Sequence, residues 1–280
     1  MLDASSPNPS FTADGVVPSA EPVLFATTKV QTFLGQAPLT GASGFFFARD
    51  DRLYLVTNRH VFQDEAVGHA PDRVEIEIHT DPQDLTQIAV FSIPLYAGGL
   101  ALWNGALDSG GVVDIAVVEI ERGKLPVGSV IRAFSPSHLQ SRGEDFGLGS
   151  ALIVVGFPLG FHDTIHHLAV ARSATIASAF GVRFQQRGCF LTDARTHSGS
   201  SGAPVLRRRT LKESSDASDW ETDWQLLGIH STRMDMGPRD HTSDESLGLN
   251  CVWYADALMA LTLPHDAGPV AGDEAPEAAA

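Results

Sequence analysis

Cysteine is nearly missing from this chain of 280 residues: Cys189 and Cys251 are the only two. Two thiols cannot build the cross-linked framework of a disulfide-dense secreted fold, and their scarcity suits a reducing compartment. They read most simply as buried thiols on strands, with a disulfide or a catalytic or metal role as alternatives. Positive charge is scarce as well, since 19 Lys and Arg face 34 Asp and Glu and leave a net charge of −15. That field repels nucleic acid and anionic membrane as main partners, and the short run Arg207, Arg208, Arg209 does not reverse it. No apolar run approaches the ~20 residues that cross a bilayer. The opening "MLDASSPNPSFTADGVVPSAEP" lacks the basic start and apolar core of a secretory signal, so the expected location is cytoplasmic. Internal repeats are missing, and so is long helical periodicity, except in "ADALMALTL", which predicts one closing helix after residue 254.

What is there is strand composition. Hydrophobic residues make up 43% of the chain, enough for a sizeable core. They fall in short β-branched or aromatic runs: "KVQTFL", "GFFFA", "LYLVTN", "VEIEIH", "IAVFSI", "DIAVVEI", "ALIVVGF", "ARSATIAS", "CFLTD", "APVLR", "WQLLGIH" and "LNCVWY". Gly, Pro and Asp clusters separate them, as antiparallel strands require. This many strands suit two barrels or a sandwich pair. A Gly/Pro/Ser-rich crossover places the boundary around residues 131 to 148. The expected division is a disordered tail over 1–22, a first barrel over 23–135, a second over 136–264 and a disordered tail over 265–280. Residues 207–223 separate two strands by more than a tight hairpin, which predicts an exposed excursion.

Three places can carry chemistry. A serine hydroxyl attacks only if an imidazole takes its proton, a carboxylate orients that imidazole and donors receive the oxyanion. His60, in "LYLVTNRHVF", lies where an apolar strand runs into a polar tip. Asp114, in "GGVVDIAVVEI", is an acid among apolar residues, costly to bury without a hydrogen-bonded partner. The third is "TDARTHSGSSGAPVL", residues 192–206, with Ser198, Ser200 and Ser201 among glycines. Singly, each has a bland alternative: a core histidine, a turn aspartate, a flexible Gly/Ser loop. Together they run His, Asp, Ser along an all-β chain.

The blocks "TNRHV", "DIAVV" and "TDARTHSGSSGAPVL" resemble the catalytic blocks of chymotrypsin-like (trypsin-like) serine peptidases. The likeness is to the bacterial branch that includes HtrA-type peptidases and glutamyl endopeptidases. "ASGFFFA" resembles the strand before its histidine block, and "IVVGFPLG" the turn that opens its second barrel. The resemblance covers roughly residues 27 to 255. It implies two antiparallel six-stranded β-barrels with a short C-terminal helix, and a serine endopeptidase working through an acyl-enzyme. Ser201 would be the nucleophile, His60 the general base and Asp114 its orienter, with Gly199 and Ser201 forming the oxyanion hole. Ser200 stands where zymogen-activated trypsins carry an Asp, so activation by an inserted N-terminus is not expected.

The resemblance also implies a pocket for the residue before the scissile bond, with substrate contacts at Arg195, Ser198, His230 and Ser231. Arg195 and His230 facing that pocket would favour acidic side chains; with Arg195 in solvent and His230 merely packed, no such preference arises. "FHDTIHH" gathers His162, Asp163, His166 and His167. No further Cys or His pair at ligand spacing accompanies it, so no metal site and no cofactor are expected, and a surface loop or substrate rim is the reading. The expected partners are a protein or peptide substrate and a protein that activates or restrains the enzyme. An α/β-hydrolase is excluded by Ala203 at the last glycine position of its motif and by the absence of a βα alternation. The rival of another class is a catalytically silent scaffold that binds a peptide or partner.

Overall fold

The computed structural model describes residues 20–140, 146–209, 220–233 and 248–263. Nine strands come first: β1 (Thr27–Leu34), β2 (Ala37–Arg49), β3 (Arg52–Thr57), β4 (Arg73–His79), β5 (Ile88–Pro94), β6 (Tyr96–Ala97), β7 (Leu100–Ala101), β8 (Trp103–Asp108) and β9 (Gly111–Ile120). Seven of them form one antiparallel sheet in the order β5-β4-β1-β2-β3-β9-β8, and β6 and β7 pair apart. The resemblance implied six strands here. The sheet has seven because β5 and β8 are separate edge strands connected by the small β6–β7 hairpin, and the Leu102 N–H donates to the Leu95 carbonyl at 2.8 Å across its base. The edge strands β5 and β8 are thus joined end to end.

Alternation explains the sheet's two faces. In β4, "RVEIEIH", Val74, Ile76 and Ile78 are buried while Arg73, Glu75 and Glu77 are partly exposed, the period of two expected when one face packs inward. The inner face joins Val30, Phe46, Leu55, Phe62 and Trp103 in one apolar cluster.

The second sheet contains β10 (Ala151–Gly156), β11 (Val170–Thr175), β12 (Cys189–Thr192), β13 (Pro204–Arg208), β14 (Trp224–Arg233) and β15 (Asn250–Tyr254). Its order is β11-β10-β13-β14-β15-β12. A bridge between Ile176 and Thr192, and the Ala177 N–H on the Leu191 carbonyl at 2.8 Å, bring its two edges together into a closed barrel. Closure removes the unpaired edges that an open sheet exposes. Cys189 and Cys251 are free and buried on the neighbouring strands β12 and β15.

A second cluster ties the sheets together, with Phe45, Phe47 and Val117 from the first meeting Leu206, Ile229 and Trp253 from the second. Phe134, in the crossover, bridges to Phe47 and stacks edge-on against Phe45. The closing helix appears as a 3-10 turn, Ala255–Ala257, running into a short α-helix, Leu258–Leu261. Arg49 and Asn104 donate to the carbonyls of Met259 and Leu261, so the chain's last described element packs on the first barrel. Among the described residues, no helix is long and apolar enough to cross a membrane. Apart from residues 20–22, the expected tails lie outside the described residues, as does most of the expected excursion. Its described ends belong to β13 and to a short helix, Trp220–Asp223.

Candidate active site

His60 follows β3 directly, in a one-turn helix, Arg59–Phe62. Asn58 precedes that turn and donates its Nδ2 to the Asp114 carbonyl on β9 at 2.7 Å, which fixes the turn against the neighbouring strand. Asp114 then receives three hydrogen bonds. The His60 backbone N–H reaches Oδ1 at 3.0 Å, the His60 Nδ1 lies 2.8 Å from Oδ2, and the Ser231 hydroxyl donates to Oδ2 at 2.6 Å. A carboxylate only accepts, so the Nδ1 of His60 carries the proton and Nε2 is left with its lone pair. Burial pushes the His60 imidazole toward its neutral form, yet the hydrogen bond and charge of Asp114 outweigh it and raise its pKa above the ordinary value.

The serine loop is held mostly through its backbone. Gly199 has φ +88° and Gly202 φ +84°, a region that side chains rarely adopt. Space excludes them as well: a Cβ at Gly202 would lie 2.2 Å from the Ser43 carbonyl oxygen, and one at Gly199 2.6 Å from that of Phe157. Ser43, on β2, reaches across from the first sheet. Its N–H donates to the Ser201 carbonyl at 2.9 Å, its hydroxyl donates to the Gly199 carbonyl at 2.8 Å, and that hydroxyl accepts the Phe157 N–H at 2.9 Å. The Thr57 hydroxyl holds the Ser43 carbonyl at 2.8 Å. The N–H groups of Ser200, Gly202 and Ala203 are bonded to His197, His230 and Ser200 carbonyls, whereas those of Gly199 and Ser201 have no acceptor among the described residues. Two donors beside the hydroxyl are therefore unspent.

Ser201 joins the His60 corner through Ser231. Its hydroxyl donates to the Ser231 carbonyl at 3.3 Å, while the Ser231 side chain holds Asp114. The other expected contacts are spread out. His230, buried on β14, has its Nδ1 without a partner among the described residues, and burial reinforced by the nearby His60 lowers its pKa to about 4. Ser200 is buried and Ser198 exposed. Arg195 is exposed, its carbonyl gripped by the Arg172 guanidinium at 2.8 and 3.1 Å. Arg195 lines a concavity with Asp193, Ala194, Thr196, His197 and Asn250, but His230 and Ser231 are not among the described residues of that lining.

Sequence reasoning missed the supports. Ser43, Thr57 and Asn58 do not stand out until the fold brings them to the loop. Asn250 donates to the Ala194 carbonyl at 2.6 Å and accepts from the Thr196 hydroxyl at 2.7 Å, anchoring the approach to Ser201. Its signal was a buried amide opening the otherwise apolar strand "NCVWY".

The expected surface loop, "FHDTIHH" at residues 161–167, folds against the first sheet. His167 Nδ1 meets Glu77 Oε2 of β4 at 2.9 Å, and Glu77, His162 and His167 offer ligand atoms within 4.8 Å of one another. His162 and His166 share no helix; the turn instead pairs His166 with Asp163 at 2.8 Å.

No curated protein matches the chain. Solved structures do. A serine endoprotease from Yersinia pestis is 16% identical with a TM-score of 0.49, covering 85% of this chain and 61% of its own. An HtrA-type protease, AlgW, with a tripeptide is 14% identical with a TM-score of 0.49, over 85% of this chain and 58% of its own. An inactive form of Rv3671c from M. tuberculosis is 17% identical with a TM-score of 0.43, over 93% and 95%. The chain thus spans 61% and 58% of the first two. A family model described as the trypsin-like peptidase domain matches residues 42–210, well over half of the 280 residues and all three blocks around His60, Asp114 and Ser201. The chain belongs to the trypsin-like peptidase domain family.

Proposed function

We propose that this protein is a serine endopeptidase that cleaves protein substrates through an acyl-enzyme on Ser201. The carrying observation is the pair of unspent N–H groups at Gly199 and Ser201, on a loop linked through Ser231 to the His60–Asp114 pair. The Ser201 oxygen attacks the scissile carbonyl as His60 Nε2 takes its proton. The two N–H groups receive the oxyanion, and Asp114 stabilises the imidazolium. His60 then returns the proton to the leaving amine, and water, deprotonated by the same imidazole, releases the acyl group.

One contact favours the silent scaffold: the Ser201 hydroxyl rests on the Ser231 carbonyl, not on His60. An extended peptide pairing with β14 as an added strand needs such carbonyls as acceptors. Its N–H would displace the hydroxyl and free it for His60. A fluorophosphonate probe separates the readings: covalent labelling of the folded protein, lost in Ser201→Ala, is expected. No labelling of correctly folded protein would favour the scaffold. Turnover should fall by about 10⁴-fold or more in Ser201→Ala and His60→Ala.

An acidic preference before the scissile bond is the finer part of the proposal. A neutral, buried His230 can donate one hydrogen bond to a carboxylate, and the exposed Arg195 supplies positive charge on the same loop as Ser201. A peptide library should show Glu and Asp above Gln and Asn at that position, a margin lost in His230→Phe. Selection of Lys, Arg or large apolar residues would overturn it.

A further inference from the structure

We propose that Glu77, His162 and His167 form a binding site for a zinc-class divalent cation that ties β4 to the loop supporting Gly199. Two imidazoles and one carboxylate are a donor set that zinc takes with a fourth position left for water, and imidazole selects against calcium and magnesium. The three ligand atoms already lie within 4.8 Å of one another, although Glu77 lies on β4 and the two histidines in the loop between β10 and β11. Only a modest inward movement separates that spacing from tetrahedral coordination at bond lengths of about 2.0–2.2 Å.

The surroundings suit the role. His162 Nδ1 lies 2.6 Å from the Gly160 carbonyl, which can only accept, so this nitrogen carries the proton and Nε2 presents a lone pair. Ligating histidines are commonly fixed by such a bond on their second nitrogen. Glu77 is charge-balanced on its other oxygen, Oε1, by Lys29 at 3.5 Å, leaving Oε2 facing His167. A cavity of about 10 Å³, near the volume that holds one water, abuts the group and is lined by Lys29, Glu77, His79, Phe157 and His167. On binding, the hydrogen bond between His167 and Glu77 gives way to two metal bonds: the Nδ1 proton of His167 passes to solvent and, where the imidazole was neutral, Nε2 takes one up, so that a neutral imidazole is the ligand.

The position gives the ion a consequence. In the same loop the Leu159 N–H donates to the Ser198 carbonyl at 2.6 Å, one residue before Gly199. Gly160, held by His162, backs the space where a Gly199 side chain would project. An ion fixing His162 and His167 to β4 would hold this buttress in place. That effect on turnover rests on the peptidase reading, whereas binding itself does not.

Zinc binding is therefore measured first on the full chain carrying Ser201→Ala, by elemental analysis after gel filtration and by titration against a chromophoric chelator. About one zinc per chain is expected, with no calcium bound. Affinity should fall about tenfold or more in His162→Gln and in His167→Gln, and remain unchanged in His166→Gln, a neighbour outside the trio. Zinc should raise the unfolding temperature of the Ser201→Ala chain but not that of the two trio variants, a readout valid even where a variant is itself less stable. Absence of stoichiometric zinc, or equal zinc binding in His162→Gln, would overturn the site. Zinc bound as expected but without proteolysis in the wild type would instead count against the peptidase reading and leave the site standing.

Discussion

His60 and His230 sit in the two halves of one site and are held in opposite ways. His60, at the end of β3, is part-buried but has a carboxylate on its Nδ1, and its pKa is raised. His230, in the middle of β14, is buried with no partner on its Nδ1 among the described residues, and its pKa is lowered to about 4. The same side chain thus has its protonated form favoured in one place and disfavoured in the other. The difference lies in whether a charge partner offsets the loss of water.

Removing that partner breaks the comparison most severely. Asp114→Asn keeps the shape but replaces an acceptor with an amide that can donate, so His60 loses the bond that places its proton on Nδ1. The expected loss in kcat is about 10⁴-fold, the scale seen when a triad aspartate is so replaced. The acid limb of the pH profile tests the same link. His60 must be neutral to accept a proton, so activity falls as pH drops through its raised pKa, and the limb lies above the ordinary histidine value of 6.5. A limb at or below that value would sink the claim that Asp114 dominates burial.

A gentler change sharpens it. Ser231 links the His60–Asp114 pair to Ser201, its hydroxyl on Asp114 and its carbonyl under Ser201. Ser231→Ala removes only the hydroxyl. A hydrogen bond to a charged group contributes about 1.5–3 kcal/mol, which corresponds to roughly a 10- to 100-fold loss in kcat. KM should hardly move, because the carbonyl that would meet a substrate remains. A matching rise in KM would mean that Ser231 serves substrate binding instead of the pair.

Much of this arrangement was legible in the sequence for a physical reason. Each of the twelve apolar runs became a strand because each alternates or is fully buried, and the three chemical blocks stood out because polar residues interrupted them. The strands that escaped were the two-residue β6 and β7 and the longer β8, "WNGALD", whose Asn and Gly lack strand character and which is held by β9 rather than by its own pattern. Supports escaped similarly. Ser43 acts through a backbone amide and a hydroxyl spanning from residue 43 to residues 199 and 157, a relation that no local spacing encodes. The trio of Glu77, His162 and His167 is hidden in the sequence because the carboxylate comes from β4, far along the chain from the histidine loop, and no short ligand spacing joins them.

The smallest expected effect concerns stability rather than rate, and it isolates His230. A histidine whose folded pKa is lowered contributes stability that is present above its unfolded value, near 6.5, and is lost as pH falls toward the folded value of about 4. The unfolded chain takes up a proton in that window while the folded chain refuses it. His60 has the opposite sign, since its raised pKa gives stabilisation present below the unfolded value and lost as pH rises through the folded one. His230→Phe keeps a ring of similar size and deletes a buried nitrogen with no partner, so stability at neutral pH should hold or rise slightly. Between pH 6.5 and 4 the variant should lose stability less steeply than the wild type, as read from urea unfolding at intervals across the window. Parallel curves would mean that His230 gains a partner or water in solution, and its contrast with His60 would then come from something other than burial.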